Sequence, residues 1–134
     1  MNKGFSLIEL TFVLLIVSIL TLMAVPNYTR YLTQTRRLDG QTALLMLANQ
    51  IESQRMQHHK QPYAPLPTHS QGGWYTLQVN QLPGHHYQLL AKPIQSQARY
   101  DTTCQTLSLT DRGEQSIAPG ISGNPTGSAA ACWM

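Results

Sequence analysis

Apolar residues are spread unevenly along this chain. From Phe5 to Val25 it reads FSLIELTFVLLIVSILTLMAV, 21 residues with one ionisable group, Glu9. A helix of that length measures about 31 Å, enough to cross the hydrocarbon core of a bilayer. Beyond Pro26 the continuous run gives way to a helical period. Tyr28, Tyr31, Leu32 and Thr35 follow one face, and Ala43, Leu44, Leu47, Ala48 and Ile51 recur at helical spacing. Arg30, Arg36, Arg37, Gln41, Asn49 and Arg55 fall mostly on other faces. Pro62, Pro65 and Pro67 stop the pattern. One helix is therefore predicted from Phe5 to about His58, roughly 80 Å long. Its second half is amphipathic and needs a partner surface. Gly40 is a weak point there, about 1 kcal/mol poorer than alanine. Pro26 removes the backbone bond to Leu22 and is expected to kink or loosen the helix.

The period then changes from 3.6 to 2. Trp74 to Asn80 alternates, with Tyr75, Leu77 and Val79 on one face; Gln81-Leu82-Pro83-Gly84 reads as a turn. Tyr87 to Lys92 places Tyr87, Leu89 and Ala91 together, and Thr106 to Thr110 places Leu107 and Leu109. Asp111-Arg112-Gly113 reads as a hairpin turn into a strand from Glu114 to Ile117. Short one-sided strands of this kind make a small antiparallel sheet that packs one face on a helix. After Ile117, Pro119, Gly120, Gly123, Pro125 and Gly127 predict a loop-like tail.

Composition narrows the class. The chain has 134 residues, enough for one domain. Only 11% are charged and the net charge is +3, too weak to indicate a nucleic-acid binder by itself. A polytopic membrane protein, a collagen and a highly charged disordered chain are excluded. Two cysteines allow one disulfide, which favours an oxidising compartment. A Cys104–Cys132 bridge would close about 29 residues and contribute on the order of 3–4 kcal/mol in the chain-entropy account. Charge leaves orientation open, with Lys3 on one side of the apolar run and Arg30, Arg36 and Arg37 on the other. Leu22-Met23-Ala24 is a poor signal-peptidase site, so the run reads as an uncleaved anchor or one cut elsewhere.

Glu9 is the most informative residue. A carboxylate inside an apolar span is costly in lipid and is functional by default; it either sits at the interface and reaches water or pairs with a cation when subunits assemble. The span holds no Lys or Arg, but a cut after Gly4 would expose a Phe5 amine as the missing positive charge. Gly4-Phe5-Ser6-Leu7-Ile8-Glu9 after a short leader, with the long apolar run and Pro26, resembles the type IV pilin signal. The resemblance implies an α+β pilin fold: a long N-terminal helix, its first half transmembrane or in a filament core, packed on a small antiparallel sheet with a disulfide-closed C-terminal loop. It implies a leader at 1–4, a transmembrane or filament-core helix at 5–25, and a periplasmic or extracellular globular domain at 26–134. Prepilin peptidase would cut between Gly4 and Phe5 and methylate Phe5, and Glu9 would pair with the terminal amine of a neighbouring subunit. The chain would wait in the inner membrane and then enter a surface pilus. Ser18 stands where many pilins carry a helix-breaking glycine.

Arg36-Arg37, Trp74-Tyr75, Cys104-Gln105-Thr106-Leu107-Ser108-Leu109 and the Cys132-Trp133 ending extend the likeness to the PilE-like minor pilins. The implied function is a structural subunit that promotes pilus assembly and supports adhesion, twitching motility or DNA uptake. Its implied partners are other pilins, a tip adhesin and the peptidase. The alternatives are a DNA-binding pilin for natural transformation and a pseudopilin of a type II secretion system. For DNA, Lys60, Lys92, Arg99 and Arg112 are the candidate phosphate contacts, with Trp74, Tyr100 or Trp133 for stacking. No catalytic residue, metal or cofactor is expected. His58-His59 and His85-His86 lack ligand spacing, Asp101, Asp111 and Glu114 are too sparse for calcium, and no activated nucleophile is evident.

Overall fold

The long apolar run and the amphipathic stretch after it form one helix, α1 (Leu7–Met56). The computed structural model describes residues 4–57 and 65–133. The chain divides into two compact units, Met1–Leu32 and Thr33–Met134.

In the first unit α1 starts after Ser6, whose carbonyl accepts from the N–H groups of Glu9 and Leu10. The apolar side chains from Phe5 to Val25 are all exposed, as expected of a helix whose solvent is lipid or other helices. Three hydroxyls inside the run are satisfied within the helix. Thr11 Oγ1 donates to Ile8 O, Ser18 Oγ to Leu15 O and Thr21 Oγ1 to Val17 O, each at 2.7 Å. Ser18 is thus helical, its donor absorbed by the preceding turn. The helix continues through Pro26, where Asn27 Nδ2 donates to Met23 O.

The second unit is a four-stranded antiparallel meander with the C-terminal half of α1 packed on one face. Its strands are β1 (Tyr75–Leu82), β2 (His86–Pro93), β3 (Thr106–Thr110) and β4 (Gln115–Ala118), paired in that order. Pro83, Gly84 and His85 connect β1 to β2 in the register Leu82↔His86, with Gly84 and His85 both at positive φ. The alternating set Tyr75, Leu77, Tyr87, Leu89, Ala91, Leu107 and Leu109 is buried against Ala43, Leu44 and Leu47. Ala48 and Ile51 pack at the margin of this core.

Several features depart from the sequence pattern. Two short helices were not anticipated: α2 (Gln95–Tyr100) between β2 and β3, and α3 (Ala129–Cys132) inside the Gly/Pro-rich tail. α2 has no side-chain cap, and Ser128 caps α3 through the Ala131 N–H. β3 is buried on both faces rather than one, because the segment after β4 covers it. Thr106 Oγ1 donates to Pro119 O, and a Cβ on Gly120 would lie 2.4 Å from Gln105 Oε1.

The inner face of α1 is also wider than its apolar stripe. Arg37 and Gln41, placed by their polarity on other faces, turn inward beside Gly40 and Leu44. Gly40 is a contact site rather than a flaw. A Cβ there would stand 3.0 Å from two atoms of the buried Tyr75 ring.

Candidate functional site

At the N-terminal end the site is linear. Gly4, Phe5 and Glu9 are all exposed, with Glu9 in the first turn of α1. An 18-residue window of this helix has mean hydropathy 2.5, and none of it is buried. By length and composition it can cross a membrane.

The second unit is organised by a polar cluster that the sequence reading missed. Arg37 reaches Asp101 through two parallel bonds, Nε to Oδ2 and Nη2 to Oδ1, each 2.8 Å. Asp101 is fully buried, and it also accepts from Gln97 Nε2 and the Cys104 N–H, each at 3.1 Å. Gln97 Nε2 further approaches the Thr33 carbonyl and the Tyr75 hydroxyl. Four donors on one carboxylate stabilise its charge and tie α1 to α2 and to the approach to β3. The signal available was weak. Asp101 is one of six acids, 64 residues from its partner in the chain.

The disulfide continues this junction. Cys104 and Cys132 are bonded with Cα atoms 5.7 Å apart, and the Cys132 carbonyl accepts from Gln41 Nε2 at 2.7 Å. Gly127 lies against Thr103, its N–H donating to the Thr103 carbonyl, and Ser122 Oγ donates to Ala98 O. The Gly/Pro-rich tail is therefore held to α2 and to the segment before β3 by specific bonds.

The candidate DNA contacts do not form a single strip. Lys60, like His58 and His59, lies outside the described residues. Lys92 is an exposed position near the end of β2, between buried Ala91 and Pro93, and Arg99 is exposed in the last turn of α2 with exposed Tyr100 after it. Arg112 is in the β3–β4 turn, whose Asp111 N–H bonds to the Tyr87 carbonyl near the start of β2. Five residues of strand, about 17 Å, separate Tyr87 from Lys92. The stacking candidates narrow to one. Arg36 covers the Trp74 ring at 3.7 Å, and Trp133 donates its Nε1–H to Ser116 O at the edge of the core. Tyr100 alone of the three is more than half exposed.

Acids and bases are unequally committed. Asp39 accepts from the Gly72 N–H, Glu52 from Arg55 and the Tyr87 hydroxyl, Asp101 from Arg37, and Asp111 faces His86 Nδ1. Lys92, Arg99 and Arg112 enter none of the ion pairs among the described residues. Burial pushes Tyr75 well above the ordinary phenol range and, with the bond to Glu52, pushes Tyr87 up to about 12. The bond to His86 lowers Asp111. Among the described residues no three His, Cys, Asp or Glu side chains could hold a metal. A cleft of about 550 Å³ between the end of α1 and the β1–β2 hairpin is lined by Ile51, Arg55, Leu66, Val79, Leu82 and His85, among others.

Comparison with known proteins matches these parts separately. Residues 1–25 match the family model "Prokaryotic N-terminal methylation motif". Residues 26–108 match the model "Type IV minor pilin ComP, DNA uptake sequence receptor". Among curated proteins, the ComG operon protein 3 homolog of Bacillus licheniformis is 36% identical over 57 residues. That alignment covers 42% of this chain and 59% of the relative, so the chain spans about three fifths of the relative's length. The ComP model covers more than half of the chain, from Pro26 in α1 through β1, β2 and α2 into the start of β3, and includes the Arg37–Asp101 junction. The methylation motif adjoins it on an exposed apolar helix, and the chain belongs to the type IV minor pilin family.

Proposed function

We propose that this minor pilin is a DNA-contacting subunit for DNA uptake, carried in a surface pilus by its apolar helix. Residues 1–4 are the leader, 5–25 the span, and 26–134 the periplasmic, later extracellular, part. Prepilin peptidase cuts between Gly4 and Phe5 and methylates the new amine, while the chain sits in the inner membrane. In the filament Glu9 would otherwise be an unpaired carboxylate among apolar helices, which is strongly unfavourable. The Phe5 amine of an adjacent pilin relieves that cost and sets axial register.

The observation that carries the DNA reading is the arrangement of charge around α2. Arg99 and exposed Tyr100 stand side by side, Lys92 lies a short way before them, and Asp101, the acid in that stretch, is fully buried and bonded to Arg37. Residues 115–133 carry no charge at all. Phosphates can approach such a face without meeting an exposed carboxylate, and Tyr100 offers a stacking or sugar contact. The description of the matching family model, a DNA uptake sequence receptor, supports the same reading.

The test is fluorescence anisotropy of labelled duplex DNA with the purified full chain at several salt concentrations. Binding should weaken linearly in log–log form, and Lys92→Ala with Arg99→Ala should reduce the slope by about two. Arg112→Ala should change it less, because it lies at the other end of β2. No binding at low salt, or an unchanged slope in the double variant, would remove DNA contact from this face and leave assembly as the function. Mass spectrometry of sheared filaments tests processing separately: a chain that still carries Met1–Gly4 is not a processed pilin.

A further inference from the structure

Immediately after the apolar run, α1 carries a one-sided band of side chains that filament assembly and DNA contact leave unassigned. Tyr28, Arg30 and Tyr31 are exposed, the two tyrosines at 62% and 64%. At 100° per residue Tyr28 and Tyr31 stand about 60° apart and Arg30 about 100° beyond Tyr31, so the three share an arc of about 160° on one side of the helix within one turn.

Their depth follows from helix rise. Phe5 to Val25 spans about 30 Å, equal to the hydrocarbon thickness of a typical bilayer. Tyr28 and Tyr31 then lie about 4.5 and 9 Å beyond the hydrocarbon edge. The headgroup layer on each side is about 5–8 Å thick, so Tyr28 and Arg30 lie within it and the Tyr31 backbone just past it, its Cα–Cβ bond tilted back towards the amino terminus. Tyrosine is favoured at that depth because its ring is apolar and its hydroxyl needs water, and an arginine there can meet lipid phosphate.

We propose that Tyr28, Arg30 and Tyr31 form an interfacial collar. It seats the unassembled subunit in the phospholipid headgroup layer of the leaflet distal to the amino terminus, and so holds the Gly4–Phe5 bond at the opposite membrane face. The inference rests on the reading of the apolar segment as membrane-borne and processed after Gly4. The partner is a phospholipid surface containing anionic headgroups. The match of the span to the bilayer leaves little slack. A slide of one turn, about 5.4 Å, towards the amino terminus would draw Tyr28 to the hydrocarbon edge, bring Arg30 to about 2 Å from it, and push the scissile bond out of its plane. A slide the other way would carry Glu9, about 6 Å inside the Phe5 edge, deeper into lipid.

The experiment places the full-length chain in vesicles of phosphatidylethanolamine and phosphatidylglycerol. Asn27→Cys supplies a thiol beside the collar, while the native cysteines are locked in their disulfide. The rate of labelling by a membrane-impermeant maleimide, relative to that in detergent, reads depth. Combining Tyr28→Leu with Tyr31→Leu should slow labelling roughly threefold or more, whereas Tyr28→Trp with Tyr31→Trp should leave it near wild type. Equal rates in all three overturn the collar. Cleavage by prepilin peptidase is followed in parallel. The leucine pair should be cut more slowly in vesicles and at the wild-type rate in detergent micelles, which impose no fixed plane. Equal slowing in both settings would mean that the peptidase reads the tyrosines directly, and would overturn the role in placing the bond. If the wild-type chain is cut in neither setting, the processing reading falls while the labelling rates still decide the collar.

Discussion

Asp101→Ala is the perturbation that best tests how the globular part is joined. The Asp101 carboxylate accepts two bonds from Arg37, one from Gln97 and one from the Cys104 N–H. Alanine removes all four acceptor contacts and leaves a guanidinium at 15% exposure with no counter-charge. Breaking a buried ion pair by deleting one partner costs about 3–5 kcal/mol. Residual exposure of Arg37 argues for the lower end. Against a total stability of about 5–15 kcal/mol, that loss is large. The assay is equilibrium urea unfolding of the purified chain with its disulfide intact, followed by tryptophan fluorescence. With a slope near 2 kcal/mol/M, a loss of about 3 kcal/mol lowers the midpoint by about 1.5 M. A second variant isolates the cause. Arg37→Met combined with Asp101→Leu removes both charges while keeping apolar volume, and should recover most of the loss. An Asp101→Ala midpoint within about 0.3 M of wild type would refute the junction as a major support. A double variant as unstable as the single would show that bond geometry, not an uncompensated charge, sets the cost.

Three further outcomes follow from the same packing. Gly40→Ala should destabilise by about 1–3 kcal/mol despite the higher helix propensity of alanine, because the new methyl meets a Tyr75 ring held by Gln97; a raised melting temperature would contradict this. Reducing the disulfide, or Cys104→Ala with Cys132→Ala, should cost on the order of 3–4 kcal/mol and open the segment after β4 to protease before the sheet; unchanged melting with and without reductant would count against it. In alkaline titration at 295 nm, two of the six tyrosines, Tyr75 and Tyr87, should resist ionisation well beyond pH 10 while the chain stays folded. Their folded pKa values are raised, so the stability they contribute is complete below pH 10 and is lost as pH rises towards about 12; six tyrosines titrating together near pH 10 would refute the burial.

Much of this protein is legible in local pattern. The helix, the strand faces and the β3–β4 turn follow from periodicity, because a half-buried helix or strand must repeat apolar residues at its own pitch. The N-terminal motif is readable for a similar reason: a carboxylate in an apolar run is too costly to be incidental. α2 was not legible. Six residues are too few to show a period, and α2 has no capping side chain. α3 is shorter still and sits among glycines and prolines that read as loop.

What only tertiary structure decided is which polar residues count as interior. Arg37, Gln41, Gln97 and Asp101 look like surface residues, yet Arg37, Gln97 and Asp101 bond across α1 and α2, and Gln41 bonds to the Cys132 carbonyl at the disulfide. Trp74 and Trp133 look available for stacking, yet one is covered by Arg36 and the other is bonded at the rim of the core. Gly40 looks like a helix defect, yet its missing side chain admits the Tyr75 ring. The amino-acid order determined the elements and the membrane-length helix because those depend on neighbours a few residues away. The bonds that tie α1 to the rest, Arg37 to Asp101 and Gln41 to Cys132, join residues more than sixty positions apart, and desolvation makes sense of such groups only when their partners are brought to hydrogen-bonding distance.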